Sequence, residues 1–127
     1  MLFRSTGAPK SGQFVDVCAG GAFSCAVDSA GAVVCWGAGQ AAQAPKGTGF
    51  VDVECGTDFA CRRHQTGLVT CWGTAAANPQ VLMPPSDAFT QLSLGGTVGC
   101  GLLAGGVVKC WGKDDFGTEK QIGRAHV

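Results

Sequence analysis

The tripeptide Cys-Trp-Gly occurs three times, at Cys35-Trp36-Gly37, Cys71-Trp72-Gly73 and Cys110-Trp111-Gly112. Each copy closes a segment opened by a phenylalanine, Phe14, Phe50 or Phe89, that lies 22 residues before its tryptophan. Successive tryptophans are 36 and 39 residues apart. A period of that size means one supersecondary unit per copy, stacked so that neighbours share a core. The chain therefore reads as a structural array, and it is not expected to be an enzyme.

The glycines say what each unit is made of. One follows the phenylalanine by six residues (Gly20, Gly56, Gly95), and another falls between two cysteines ten residues apart (Gly31, Gly67, Gly106). With 21 glycines and no tyrosine in 127 residues, the chain fits an all-β fold with many tight turns. The middle of each unit reads as a hairpin with a three-residue loop: Ser29-Ala30-Gly31, Gln65-Thr66-Gly67 or Ala104-Gly105-Gly106. Its third position needs a left-handed backbone, which glycine adopts at little cost.

If Asp28 and Ala32 close the first hairpin, counting outward three residues sets Cys25 opposite Cys35. An odd offset gives a non-hydrogen-bonded pair, where side chains approach most closely and a disulfide fits. The same count pairs Cys61 with Cys71 and Cys100 with Cys110, so three intra-hairpin disulfides are expected. The competing reading makes these cysteines small buried apolar residues. Zinc is a weaker rival, because no Cys-x-x-Cys is present and His64 and His126 share no pattern. Cys18 and Cys55 fall at non-equivalent positions of the repeat and either pair with each other or stay free.

Period-two alternation puts Phe23, Cys25, Val27, Val33 and Cys35 on one face of the hairpin and Ser24, Ala26, Val34 and Trp36 on the other. Both faces are largely apolar, so both should be covered, as in blades around an axis or in a solenoid. The tryptophans then serve packing between units, with ligand stacking the minority reading. First strands are expected at 14–18, 50–54 and 89–94. Hairpin strands are expected at 22–28 with 32–36, 58–64 with 68–72, and 98–103 with 107–111. The spacers 37–49 and 73–88 each have room for a short fourth edge strand, for example Gln80 to Met83, ended by Pro84-Pro85.

The order Phe, Gly, Cys, turn Gly, Cys-Trp-Gly resembles the regulator of chromosome condensation repeat. It resembles in particular the cysteine-bearing variety of secreted bacterial proteins and of plant crinkly-type receptor ectodomains. Trp36-Gly37-Ala38-Gly39-Gln40 is similar to a shortened form of that family's Trp-Gly-x-Asn-x-x-Gly-Gln ending, and Trp111 to Gly117 to a fuller one. Trp72-Gly73 lacks the trailing Gly-Gln, so the second unit departs there. The resemblance implies a β-propeller, usually of seven blades, acting as a rigid disc that binds other proteins. Three repeats imply a partial propeller, a piece of a larger ring.

The divisions that follow are a lead over 1–13, repeats over 14–49, 50–88 and 89–117, and a tail over 118–127. Ile122-Gly123-Arg124-Ala125-His126-Val127 resembles the translation of a common sequencing adapter, so 122–127 is expected to be foreign. The same reading makes Met1 an internal methionine, with a leader encoded upstream.

Formal net charge is zero, which gives no basic footprint for nucleic acid, and no apolar run predicts membrane insertion. Eight cysteines in so short a chain favour an extracellular or cell-surface setting. Asp16 and Asp52 occupy equivalent repeat positions and read as strand or turn residues rather than an acid–base pair. Arg62, Arg63 and His64 replace the small, apolar or acidic residues of the other units near a hairpin tip, and are expected to be solvated. No cofactor or metal is expected.

The expected function is therefore a non-catalytic, disulfide-stapled module that binds another protein through loops at Asp58, Arg62 to Gln65, and Lys113, Asp114 and Asp115. One alternative is an intracellular scaffold or small-GTPase exchange-type propeller with reduced thiols. Another is the binding appendage of an enzyme whose catalytic domain lies elsewhere. Uncovered end units predict self-association of the isolated chain.

Overall fold

A computed structural model describes residues 7–9 and 11–112. Among the described residues nine strands form three antiparallel sheets of three, each in the order of the sequence. The first blade comprises β1 (Phe14–Ala19), β2 (Phe23–Asp28) and β3 (Val33–Gly37). The second comprises β4 (Phe50–Cys55), β5 (Phe59–His64) and β6 (Val69–Gly73). The third comprises β7 (Phe89–Leu94), β8 (Gly99–Leu103) and β9 (Val108–Trp111). The expected strands are all present, with ends that move by a residue.

The hairpin register is the expected one. Gly31, Gly67 and Gly106 have φ of 88°, 96° and 90°, the left-handed conformation that the loop requires. Asp28 N–H donates to the Ala32 carbonyl at 2.9 Å, and Cys25 stands opposite Cys35. All three intra-hairpin disulfides form, Cys25–Cys35, Cys61–Cys71 and Cys100–Cys110. In the chain-entropy account each contributes about 3 kcal/mol. The inner pairs carry a regular irregularity: in each blade the register shifts between the phenylalanine and the residue two on, at Phe14/Asp16, Phe50/Asp52 and Phe89/Gln91. A bulge there bends each first strand at the same place.

Two apolar cores lie between successive blades. The first gathers Phe23, Cys25 and Val27 of blade one against Val53, Ala60 and Trp72 of blade two. The second gathers Phe59, Cys61 and Val69 against Phe89, Leu92 and Trp111. One face of each blade thus meets the opposite face of the next, as period-two alternation requires. Backbone bonds at both ends of the strands repeat the contact. Phe50 N–H donates to Gly31 and Phe89 N–H to Gly67, at 3.1 and 2.8 Å. At the other end Gly21 N–H donates to Thr57 and Thr57 N–H to Gly96, at 3.0 and 3.2 Å.

The expected fourth strand is a correction. Gln80 to Met83 is not extended: Pro79–Leu82 forms a 3-10 helix, as does Gln40–Ala42 in the first spacer. Proline at the first helical position presets the turn and removes the N–H that a ladder would use. Each spacer crosses to the next blade, burying Ala41 and Val81 and presenting a backbone carbonyl to the next tryptophan.

Candidate functional site

The residues expected to bind a partner separate into two groups along β5: Asp58 just before it, and Arg62, Arg63 and His64 in its second half, roughly 13 to 20 Å away at the ordinary rise per strand residue. Asp58 lies just before β5. Its Oδ2 accepts from Ala76 N–H at 3.0 Å, and its carbonyl accepts from Thr74 and Ala75. These bonds hold the second spacer onto blade two. Lys113, Asp114 and Asp115 lie outside the described residues.

Arg62 is not solvated. It occupies the repeat position of Ala26 and Gly101, on the inward face, and is 6% exposed. Its guanidinium lies 3.8 Å over the Phe50 ring. It donates to Thr70 Oγ1 at 3.0 Å, to the Pro45 carbonyl at 2.8 Å and to the Lys46 carbonyl at 3.1 Å. Burial lowers its pKa. A cation so placed is held by planar, multidentate bonding and ring stacking, which arginine supplies and lysine does not.

Arg63 is also committed. It pairs with Asp52 Oδ2 at 2.8 Å, and its Nη1 reaches the Phe89 carbonyl of blade three at 3.4 Å. Asp16, at the equivalent position to Asp52, hooks the next blade directly: its Oδ2 accepts from Val53 N–H at 3.1 Å. Asp16 therefore links two blades directly, whereas Asp52 holds Arg63 within blade two and Arg63 makes the contact to blade three. His64 is half-buried, edge-on to Phe50 at 5.2 Å, and its Nδ1 accepts from Thr66 N–H at 3.2 Å. That contact sets the proton of the neutral ring on Nε2.

What remains exposed at the first two hairpin tips is Ser29, Ala30, Gln65 and Thr66, and at the third Ala104, Gly105 and Gly106. Between the first two tips lies an open groove of about 180 Å³ lined by Ser29, Ala30, Gly31, Gly49, Phe50, Val51 and Gln65. A second groove of similar size lies at the far end, floored by Phe23 and Ala41 and rimmed by Thr57, Asp58 and Thr74. The tip groove was not singled out in the sequence, because Gly49 and Phe50 meet Ser29 only once two blades are packed. The turn pattern at Ser29 and Gln65 was the one available signal.

Cys18 and Cys55 pair, joining β1 to β4 across the blade boundary. No free cysteine remains among the described residues. The sulfurs of Cys18, Cys25 and Cys55 lie within 4.8 Å of one another, a grouping that could hold a metal ion if reduced, but all three are engaged in disulfides.

Three sheets that meet face to face in phase, the second and third each closed by a tryptophan bonded to the preceding spacer, make the described chain a partial β-propeller. Residues 14–43 match the family model of the Regulator of chromosome condensation (RCC1) repeat, and the second and third blades repeat its register. Among solved structures the chain is similar to the CRINKLY WD40 ectodomain of the Arabidopsis thaliana receptor kinase ACR4. The TM-score is 0.70 at 24% identity, over 84% of this chain and 42% of that one. It is also similar to the entire ectodomain of the Physcomitrella patens receptor kinase CR4 (TM-score 0.65, 24% identity, 76% of this chain and 29% of that one). Human WBSCR16 is a third likeness, with a TM-score of 0.65 at 20% identity over 82% of this chain and 34% of that one. This chain thus spans less than half the length of each. No curated protein matches it significantly.

Proposed function

We propose that this chain is a non-catalytic protein-recognition module of an extracellular or cell-surface protein. The observation that carries the reading is that all eight cysteines are joined in four disulfides, one of which staples two blades. Such pairing persists in oxidising compartments and not in the cytosol. Two of the similar structures are receptor ectodomains, which supports the same setting.

Recognition is assigned to the hairpin-tip end, at Ser29, Gln65 and Thr66 around the tip groove. Arg62 and Arg63 are spent on the fold, so an acidic partner has no free guanidinium there to meet. The compartment is tested by thiol counting on denatured protein taken from its native source. No free thiol is expected, and eight would end the extracellular reading. The surface is tested by panning against extracellular proteins and repeating each hit with Gln65→Ala and Thr66→Ala. Binding should weaken at least several-fold; undiminished binding would remove the tip assignment.

A further inference from the structure

We infer that the boundary between blades one and two is a thiol-exchange site. A small thiol enters at Cys55, and the Cys18 it releases passes the exchange through Cys25 to Cys35. Three cysteines stand in one row across blade one. Cys18 is the register partner of Cys25, and Cys25 of Cys35, so all three lie on one face of adjacent strands. Cys18 therefore meets the Cys25 sulfur from the side opposite Cys35, the line along which a thiolate displaces a disulfide sulfur. The sulfurs of Cys18, Cys25 and Cys55 lie within 4.8 Å of one another.

The row is peculiar to this blade. Glu54 stands opposite Cys61, and Ser93 opposite Cys100, so the other two hairpin disulfides have no third sulfur in line. Burial sets the order of events. Cys18 and Cys55 are half-buried at the boundary, whereas Cys25 is 0% exposed. A small thiol reaches the staple, and Cys25 is reached from within.

The two pairs open to Cys25 differ in kind. Cys25–Cys35, with a Cα separation of 4.0 Å, is the non-hydrogen-bonded kind. The backbone bonds of Cys25 therefore turn toward β1, and Cys18 with Cys25 makes a hydrogen-bonded pair, whose Cα atoms lie about 5.5 Å apart. That separation is within reach of a disulfide.

The steps balance without an oxidant. The incoming thiolate bonds Cys55 Sγ as the Cys18–Cys55 bond breaks, which leaves Cys18 as the thiolate. Cys18 then bonds Cys25 Sγ as the Cys25–Cys35 bond breaks, and the Cys35 thiolate takes a proton from water. Two disulfides break and two form, one of them to the small thiol. The product has lost the covalent link between blades one and two and carries the entering group on Cys55.

The test treats the full oxidised chain with an equimolar amount of 2-mercaptoethanol at about the ordinary thiol pKa of 8.5. The mixture is quenched in acid, alkylated and mapped by peptide mass spectrometry. The reagent should be found on Cys55, with a Cys18–Cys25 disulfide and a free thiol at Cys35 in on the order of a tenth or more of the modified chain, since Cys25 favours the narrower pair. Cys61–Cys71 and Cys100–Cys110 should stay intact. Ser93→Cys supplies the missing sulfur beside Cys100 and tests the row without the staple. With no thiol added, its free thiol should be recovered in part at Cys110. A modified chain whose free thiol is confined to Cys18 overturns the inference. So does equal opening of all three hairpins, or a Ser93→Cys chain with no free thiol at Cys110.

Discussion

The indole nitrogen of Trp72 donates to the carbonyl of Ala41 at 2.9 Å, 31 residues upstream in the spacer of the preceding blade. Trp111 makes the same bond to Val81 at 2.8 Å. Each of these tryptophans therefore fills the space between two blades and bonds a carbonyl of the 3-10 turn that packs there. The ring and the bond are separable by mutation. Trp72→Phe keeps most of the apolar area but orphans a buried carbonyl, which costs about 1–3 kcal/mol. Trp111→Phe should cost a similar amount. Trp36 is only half-buried and has no such acceptor among the described residues, so Trp36→Phe should fall within about 0.5 kcal/mol of wild type. Urea unfolding of the three variants checks the order; equal losses at all three positions would mean the indole bond is not the source.

Arg62 is the buried cation that binds the first spacer to blade two. Arg62→Ala leaves two carbonyls and Thr70 without their donor and opens a void beside Phe50. A loss of about 2–4 kcal/mol is expected, in the upper range for single substitutions. Arg62→Lys should recover less than half of it, because one ammonium cannot serve three acceptors in that plane. If lysine restores full stability, charge rather than shape holds the spacer. Binding to a partner at the tips should survive in whatever fraction stays folded.

The staple between blades one and two sits beside a hairpin disulfide. Cys18 is opposite Cys25 in the β1–β2 register, and the sulfurs of Cys18, Cys25 and Cys55 lie within 4.8 Å. Cys55→Ser frees the Cys18 thiol in that position. Its thiolate attacks Cys25, forming Cys18–Cys25 and expelling the thiolate of Cys35, with no oxidant needed. Peptide mapping after incubation near pH 8.5, about the ordinary thiol pKa, should find the free thiol shared between Cys18 and Cys35. A thiol that stays wholly on Cys18 would show that the blades hold the sulfurs out of line. Loss of the staple itself should cost about 4 kcal/mol in the chain-entropy account.

The sequence made the blades legible because a period of 36 to 39 residues, a turn glycine and two cysteines all constrain one register. Counting from Gly31 was enough to place Cys25 against Cys35. The same register sets Arg62 at the position of Ala26 and Gly101, so it faces inward. Its charge suggested solvent, and only the packed spacer reveals the carbonyls of Pro45 and Lys46 that receive it. The pairing of Cys18 with Cys55 was open for a related reason. Their offsets from Phe14 and Phe50 differ by one, and it takes the rotation between two blades to bring them together. The 3-10 spacers were missed because an Ala-rich, Gly-rich or Pro-rich stretch has no periodicity to read.

Glu54 carries the pH dependence that follows from this packing. Its carboxyl is pushed above its ordinary value of 4.5, first by burial and then by the charges of Asp16 and Asp52. A raised carboxyl binds its proton more tightly when folded, so its ionisation favours the unfolded chain. The cost is absent below pH 4.5, grows as pH rises from there toward the raised value, and is complete above it. Glu54→Gln removes that cost, so it should be more stable than wild type at pH 7, with the difference shrinking toward zero on acidification below pH 4.5. High salt should narrow the gap by screening the two aspartates and leave the part due to burial. Thermal melts of both proteins across pH test this. A glutamine variant no more stable than wild type at pH 7 would show that Glu54 is solvated or paired in solution.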